Sequence, residues 1–404
     1  MQPTNTLRLP PVALTLACAL VAHAALWPFR ANDVDEYLIP WLEHIRHTGM
    51  IGAFATPFSN YTPPYLYLLA FASPLAAIFP LVTVIKLLST AGSIALALAV
   101  WRLLRALDCA QPARGAALVL ALPSTLLNAP FLAQCDAVWA AACIMAVAMA
   151  IERRHAPMLA WFGLAIAIKL QAAFLGPFVV ALLINRRVST RLWLIAPLVV
   201  LLTLVPAWAV GWPFGDLVTI YFRQAAYSDV LSLNAPNAWI IIQTLPLIGD
   251  LPLKAMAMAI ATGASASYIA WLASHRLPAR VIPAAALLAV LLVVGVLPHM
   301  HERYFFLCDI LALSVALTRR DRTGWFIAVA VQAGSTLAIL AYILDTQALA
   351  VLGAVSMMIA TYQVALLLGF PSRADLSAKD DAGSTPTCAI IAWPRPMNAR
   401  HRPS

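Results

Sequence analysis

From residue 9 to residue 370 the chain is a succession of helix-length apolar segments separated by short polar links. This pattern leaves little choice of fold. With 62% hydrophobic and 11% charged residues, the chain has far more apolar surface than a water-soluble core of its length can bury. In a bilayer every backbone polar group must be satisfied inside its own segment, which leaves helices or closed barrels. Barrel strands read as short alternations of apolar and polar residues. Here the runs are continuous and about as long as a bilayer-crossing helix. The reading is an all-α polytopic membrane protein with about 12 transmembrane helices.

The crossings are expected at about 9–27, 81–101, 116–127, 137–151, 157–168, 172–184, 192–210, 251–274, 281–297, 305–317, 325–343 and 348–370. The first ends in Trp27-Pro28-Phe29-Arg30 rather than a small-residue cleavage site, so it reads as a retained span. Residues 64–79 are apolar but short and interrupted by Pro74. Read as a helix on the outer face, they leave Arg102, Arg105, Arg153, Arg154, Arg186, Arg187, Arg191, Arg276, Arg280, Arg319, Arg320 and Arg322 on one side. That side is cytoplasmic by the bias of basic residues. Residues 1–370 then form one membrane domain, 28–81 its long first outer loop with interfacial helices, and 371–404 a polar, disordered cytoplasmic tail.

The net charge of +9 sits in those inter-helix clusters, so it is a topology signal and not a nucleic-acid surface. Gly-rich phosphate loops are absent, which argues against a nucleotide-binding enzyme. The six cysteines are scattered, without a CxxC pair, and read as small buried hydrophobes.

Four polar groups fall on the outer side. The first outer loop holds Asp33, Asp35, Glu36 and Glu43, four of 17 acidic residues in the chain. Charge this dense beside a span is costly. Either Asp33 or Asp35 suits a general base or a ligand of a divalent cation such as Mg2+ or Mn2+. His301-Glu302-Arg303-Tyr304 places a planar, permanently charged fork where arginine is rare, and phosphate oxygens match it. His301 and Glu302 support it or touch the substrate themselves; too few ligands lie nearby for zinc. Lys169 and Gln171 interrupt two apolar runs, and Lys169 needs a partner or a cavity. Gln134-Cys135-Asp136 offers three roles: a sugar contact, an orienting group for Lys169, or a helix cap. Asn60, Tyr61 and Asn128 are further candidate sugar contacts, and Trp41, Trp212, Trp239 and Tyr221 fit an interfacial aromatic belt.

Carboxylates for a proton, cations for a phosphate and apolar walls for a lipid coincide in sugar transfer from a lipid-linked phosphosugar. Asp33-Val-Asp-Glu-Tyr, Asn60-Tyr-Thr-Pro-Pro-Tyr, Gln134-Cys-Asp136 with Lys169-Leu-Gln171, and His301-Glu-Arg-Tyr304 also resemble the GT-C superfamily of polytopic glycosyltransferases. More distantly the chain is similar to GPI mannosyltransferases and to the glucosyltransferases of asparagine-linked glycans. The resemblance implies a GT-C-like bundle in a bacterial inner membrane with a periplasmic active site. It implies a polyprenyl-phosphate-linked hexose or pentose as donor, a lipid-anchored or glycan acceptor, membrane lipid as partner and no nucleic acid. It favours Asp33 as the essential acid, with Asp35 in reserve, and places His301, Glu302 and Arg303 beside the lipid phosphate. The competing classes are a flippase or transporter of a lipid-linked sugar and a non-catalytic subunit of a polysaccharide-assembly system. A flippase needs polar groups through the whole membrane depth, whereas the strong polar sites cluster at one face, and Lys86 and Asp309, which lie inside spans, are near the outer ends.

Overall fold

The computed structural model describes residues 10–225, 230–245 and 252–370. The expected tail, 371–404, lies outside them, as do Asp229 and Cys388. The chain is a helical bundle, and its helices run in the order α1 (Val12–Leu26), α2 (Ile39–Thr48), α3 (Pro63–Ala72), α4 (Leu81–Ala106), α5 (Pro112–Ala121) and α6 (Pro123–Leu126). There follow α7 (Asp136–Ile151), α8 (His155–Ile168), α9 (Gly176–Asn185), α10 (Thr190–Trp193), α11 (Ile195–Val210) and α12 (Phe214–Ala225). The last group is α13 (Ala238–Gln243), α14 (Leu253–Ala273), α15 (Ile282–Val296), α16 (Phe306–Arg319), α17 (Arg322–Ile343) and α18 (Gln347–Leu368). Two two-residue strands, β1 (Ser232–Leu233) and β2 (Met300–His301), pair in parallel.

Among the described residues, six helical segments are long and apolar enough to cross a membrane: Leu81–Ala106, Thr190–Val210, Leu253–Ala273, Ala279–Val296, Arg322–Ile343 and Gln347–Leu368. The protein is therefore a multi-pass membrane protein. The other expected crossings correspond to shorter apolar helices, including Val12–Leu26, Asp136–Ile151 and Leu170–Asn185. Several are short because proline restarts the helix. Pro123 cannot donate to the preceding turn, so α5 stops at Ala121 and a new helix begins at Pro123. Residues 64–79 form α3 and a tight turn, Ser73–Ala77. The ten helical residues of α3 reach about 15 Å. Tyr65, Leu66 and Leu69 are buried, while Phe71 and Ile78 are largely exposed.

Hydrophobicity cannot hold helices together in lipid, so close approach of small residues does. At Gly163 a Cβ atom would sit 2.5 Å from the Ala196 carbonyl oxygen, so α8 and α11 touch backbone to backbone. Gly334 and Gly353 do the same for α17 and α18, where a Cβ on Gly353 would lie 2.8 Å from the Gly334 oxygen.

The bundle has two chemically different ends. At one, Arg102 and Arg154 pair with Glu152, and Arg186 donates to the Ala150 carbonyl at 2.7 Å. Asn185 donates to the Ala273 and His275 carbonyls, and Cys109 lies by Thr318 in the field of Arg280 and Arg320. The basic links thus gather as their spacing predicts. At the other end a cavity of about 790 Å3 opens. The aromatic belt is corrected: Trp41, Trp212 and Trp239 are buried, and Trp239 donates its indole N–H to the Val296 carbonyl at 2.5 Å. That bond satisfies the Trp239 N–H inside the bundle, whereas the Trp212 N–H is buried without a partner.

Gly163→Val is expected to lower the Tm of the detergent-solubilised protein by several degrees, at a cost of about 1–3 kcal/mol for overpacking against backbone. Gly263→Ala, on the open face of α14 with nothing within 4 Å, is expected to leave Tm unchanged or raise it slightly. Equal Tm values for Gly163→Val and wild type in a thermal-unfolding assay contradict the contact.

Candidate active site

The cavity is walled by segments that are distant in the chain. Behind the first helix, Lys86 on α4 donates to the carbonyls of Trp27 and Phe29. The buried ammonium satisfies the open end of α1 and fixes where the next segment starts. A wide π-type turn, Val34–Leu38, then leads into α2. Such turns recur at functional sites because they re-aim side chains. Here Asp33, Glu36, Tyr37 and Trp41 line the cavity. Asp35 does not; it pairs with Arg30 on the exposed side. The structure therefore separates two acids that their residue type and spacing alone leave equivalent.

The left-handed turn at Ala133 (φ 54°) aims Gln134 and Asp136 inward. Asp136 is fully buried, and both oxygens are occupied. Oδ1 accepts from Lys169 Nζ at 2.5 Å and Trp139 Nε1 at 2.9 Å, and Oδ2 accepts from Asn128 Nδ2 at 2.8 Å. Of its three expected roles it takes the second, orienting Lys169; it is the first residue of α7 and makes no cap bond. Asn128 holds Asp136 through its Nδ2, while its Oδ1 is buried without a partner. Lys169 breaks the helix after α8 with an extended backbone (φ −157°, ψ 133°). Its ammonium reaches the cavity wall and lies 5.3 Å from the Tyr61 ring centre. Its charge is already matched by Asp136.

The third wall comes from β2 and the turn after it. Pairing of Ser232 with Met300 and Leu233 with His301 pins this segment, and the His299 amide donates to the Leu231 carbonyl at 2.8 Å. Arg303 then points back across the cavity. Its Nη1 donates to Glu302 Oε1 at 2.6 Å, and its Nη2 lies 3.2 Å from Asp33 Oδ2. Its Nε is 4.0 Å from Asp136 Oδ2 and has no hydrogen-bond partner. Asp33 Oδ2 also accepts from Gln134 Nε2 at 3.2 Å. One guanidinium thus joins the first loop, the start of α7 and the segment before α16.

Burial alone would raise the Glu302 carboxyl, but the adjoining Arg303 guanidinium, aided by His301, holds it down at about 2. Burial pushes the Tyr61 phenol up to about 12 despite the opposing pull of Lys169. Glu302 is therefore ionised and Tyr61 neutral at physiological pH. Three carboxylates, Asp33, Asp136 and Glu302, face two fixed cations, Lys169 and Arg303. As placed, these carboxylates converge on the cations and not on one another. Among the described residues no group of three or more His, Cys, Asp or Glu side chains is placed to hold a metal ion.

Asn60, Tyr61, Gln171 and His301 all line the same cavity. So does Tyr342, near the end of α17, whose side chain lies close to Asp33. Sequence reasoning missed it, because a tyrosine close to the end of an apolar helix looks like an interfacial anchor. The lining also includes apolar side chains, Leu170, Phe174, Ile220, Met258, Leu297 and Met300.

No family model and no curated protein matches the chain. Among solved structures it is similar to the crystal structure of ArnT from Cupriavidus metallidurans bound to undecaprenyl phosphate. The identity is 18% and the TM-score 0.42, covering 88% of this chain and 76% of that one. The apo-state structure of the same protein gives 18% identity over the same shares, with a TM-score of 0.41.

The buried Lys169–Asp136 pair makes a prediction independent of function. Lys169→Met alone strands the Asp136 carboxylate and is expected to cost about 3–5 kcal/mol, read as a large drop in Tm. Lys169→Met combined with Asp136→Asn is expected to recover most of that loss. A double variant as unstable as the sum of the two singles contradicts the pairing.

Proposed function

We propose that the protein is an integral membrane glycosyltransferase of the GT-C type. It moves a hexose or pentose from a polyprenyl-phosphate sugar to the hydroxyl of a lipid-anchored or glycan acceptor. Its site faces the outer, periplasmic side of a bacterial inner membrane. The observation that carries this reading is the 3.2 Å approach of Arg303 to Asp33 in a cavity lined by both polar and apolar side chains. A base and a phosphate-binding fork stand side by side there, next to a surface suited to a lipid chain.

Asp33 is the base in this reading. Its carboxylate takes the proton of the acceptor hydroxyl as that oxygen attacks the anomeric carbon of the donor. The bond from the anomeric carbon to the phosphate oxygen breaks on the opposite face, so the configuration inverts. Polyprenyl phosphate leaves with the electron pair. Charge grows on its phosphate in the transition state, where a preorganised donor counts most. Arg303 supplies that donor through Nη2, which it shares with Asp33. Lys169 adds a positive field but stays bound to Asp136. His301 is placed to touch the phosphate or the acceptor, while Glu302 orients Arg303. Gln171, Asn60 and Tyr61 offer polar edges to the sugar. Gln134 and Tyr342 hold Asp33 in place.

The test is transfer of labelled sugar from polyprenyl-phosphate donors by purified protein. Asp33→Asn is expected to lower the rate by about 10^2–10^4-fold, the usual weight of a positioned base, with unchanged insertion and Tm. Asp35→Asn is expected to keep near wild-type transfer. Full activity in Asp33→Asn removes the base assignment. Movement of the lipid-linked sugar across vesicles without a new glycosidic bond replaces the reading with a flippase.

A further inference from the structure

Three carboxyl groups are buried among the described residues: Asp136, Glu302 and Asp309. The first two have a cation within hydrogen-bond distance. Asp309 has none. It lies in the first turn of α16, 2% exposed, and no basic side chain acts on it. Its surroundings are oxygen-rich instead. The hydroxyls of Ser124 on α6 and Ser335 on α17 face the carboxyl. Yet neither carboxyl oxygen closes a hydrogen bond of ordinary geometry, and Ser335 Oγ, on a residue 2% exposed, has no partner either. Ser124 Oγ reaches Gln332 Oε1 at 3.3 Å, which brings the amide of a second α17 residue to the cluster.

An ionised carboxylate left unpaired at this depth is costly. A proton removes the charge but occupies only one of the clustered oxygens. A small hard cation removes the charge and draws on the lone pairs of the carboxyl, both hydroxyls and the amide together. The all-oxygen donor set excludes a preference for softer metals. The single negative charge matches a monovalent ion, since a divalent one leaves a buried positive charge.

We propose that Asp309, Ser124, Ser335 and Gln332 form a binding site for a monovalent cation, sodium, within the bundle. The site is separate from the cavity but tied to its walls. Arg303 lies three residues before α16 begins, and Asn128, which holds Asp136, lies two residues after α6 ends. Tyr342, beside Asp33, sits seven residues beyond Ser335, two turns along the same face of α17. An ion joining α6, α16 and α17 fixes the relative positions of these three supports.

The experiment is thermal unfolding of the purified full-length protein at constant pH and ionic strength, with sodium chloride exchanged stepwise for choline chloride. A saturable rise in Tm of a few degrees with sodium is expected for the wild type, as for any ligand that binds only the folded state. The rise is expected to vanish in Asp309→Asn. In Ser335→Ala it is expected at about tenfold higher sodium, for the loss of one ligand worth about 1.4 kcal/mol. The serine variant keeps the test open if Asp309→Asn cannot be recovered folded. A Tm equal in sodium and choline, or one that follows pH and ignores sodium, assigns the cluster to a proton and overturns the proposal. So does a sodium response that survives in Asp309→Asn, or that is unchanged in Ser335→Ala.

Discussion

The structure depends on one guanidinium. Arg303 touches Asp33 from the first loop and Glu302 from its own segment, and its Nε faces Asp136 at the head of α7. A charge buried at a membrane surface is stable only with partners, and these carboxylates are the partners. Each in turn has a second anchor: Gln134 for Asp33, Lys169 for Asp136, and His301 for Glu302. The network therefore sets the cavity's shape and its charge at once. Only an arginine serves, because a planar fork addresses several acceptors and cannot lose its proton.

The helices exist to hold that network in register. Glycine contacts bring α8 to α11 and α17 to α18 at backbone distance, so the frame is stiff without a large aqueous core. Lys86 has a related duty, tying the end of α1 to α4. It carries no chemistry at the cavity, although as an intramembrane lysine it invites a functional reading. Polar groups deep in the bundle thus divide into those that close helix ends, those that line the cavity, and the Asp309 cluster.

Much of this is legible in the residues. Long apolar runs set the class of fold, and arginine-rich links mark one end of the bundle. Asp33, Lys169 and Arg303 stand out because charge beside an apolar run is rare. What the residues do not disclose is pairing. Asp136 and Lys169 are 33 positions apart, so Lys169 looks available for a phosphate until the fold joins the two. Asp33 and Asp35 are equivalent by residue type and spacing until the wide turn at Val34–Leu38 points one inward and the other toward Arg30. Trp212 and Trp239 look interfacial because their burial depends on neighbours from other helices. Tyr342 is invisible for the same reason: its importance comes from Asp33, about 300 residues away.

In the proposed glycosyltransferase Arg303 is the phosphate anchor, and Asp33 holds it until a phosphate arrives. Equilibrium binding of a polyprenyl monophosphate to the purified protein tests this directly. Arg303→Lys keeps the charge but loses the fork, and the account predicts at least about tenfold weaker binding. Asp33→Asn removes the competing carboxylate and is predicted to bind the lipid phosphate as tightly as wild type or more so. Wild-type affinity in Arg303→Lys, or lost binding in Asp33→Asn, contradicts the account.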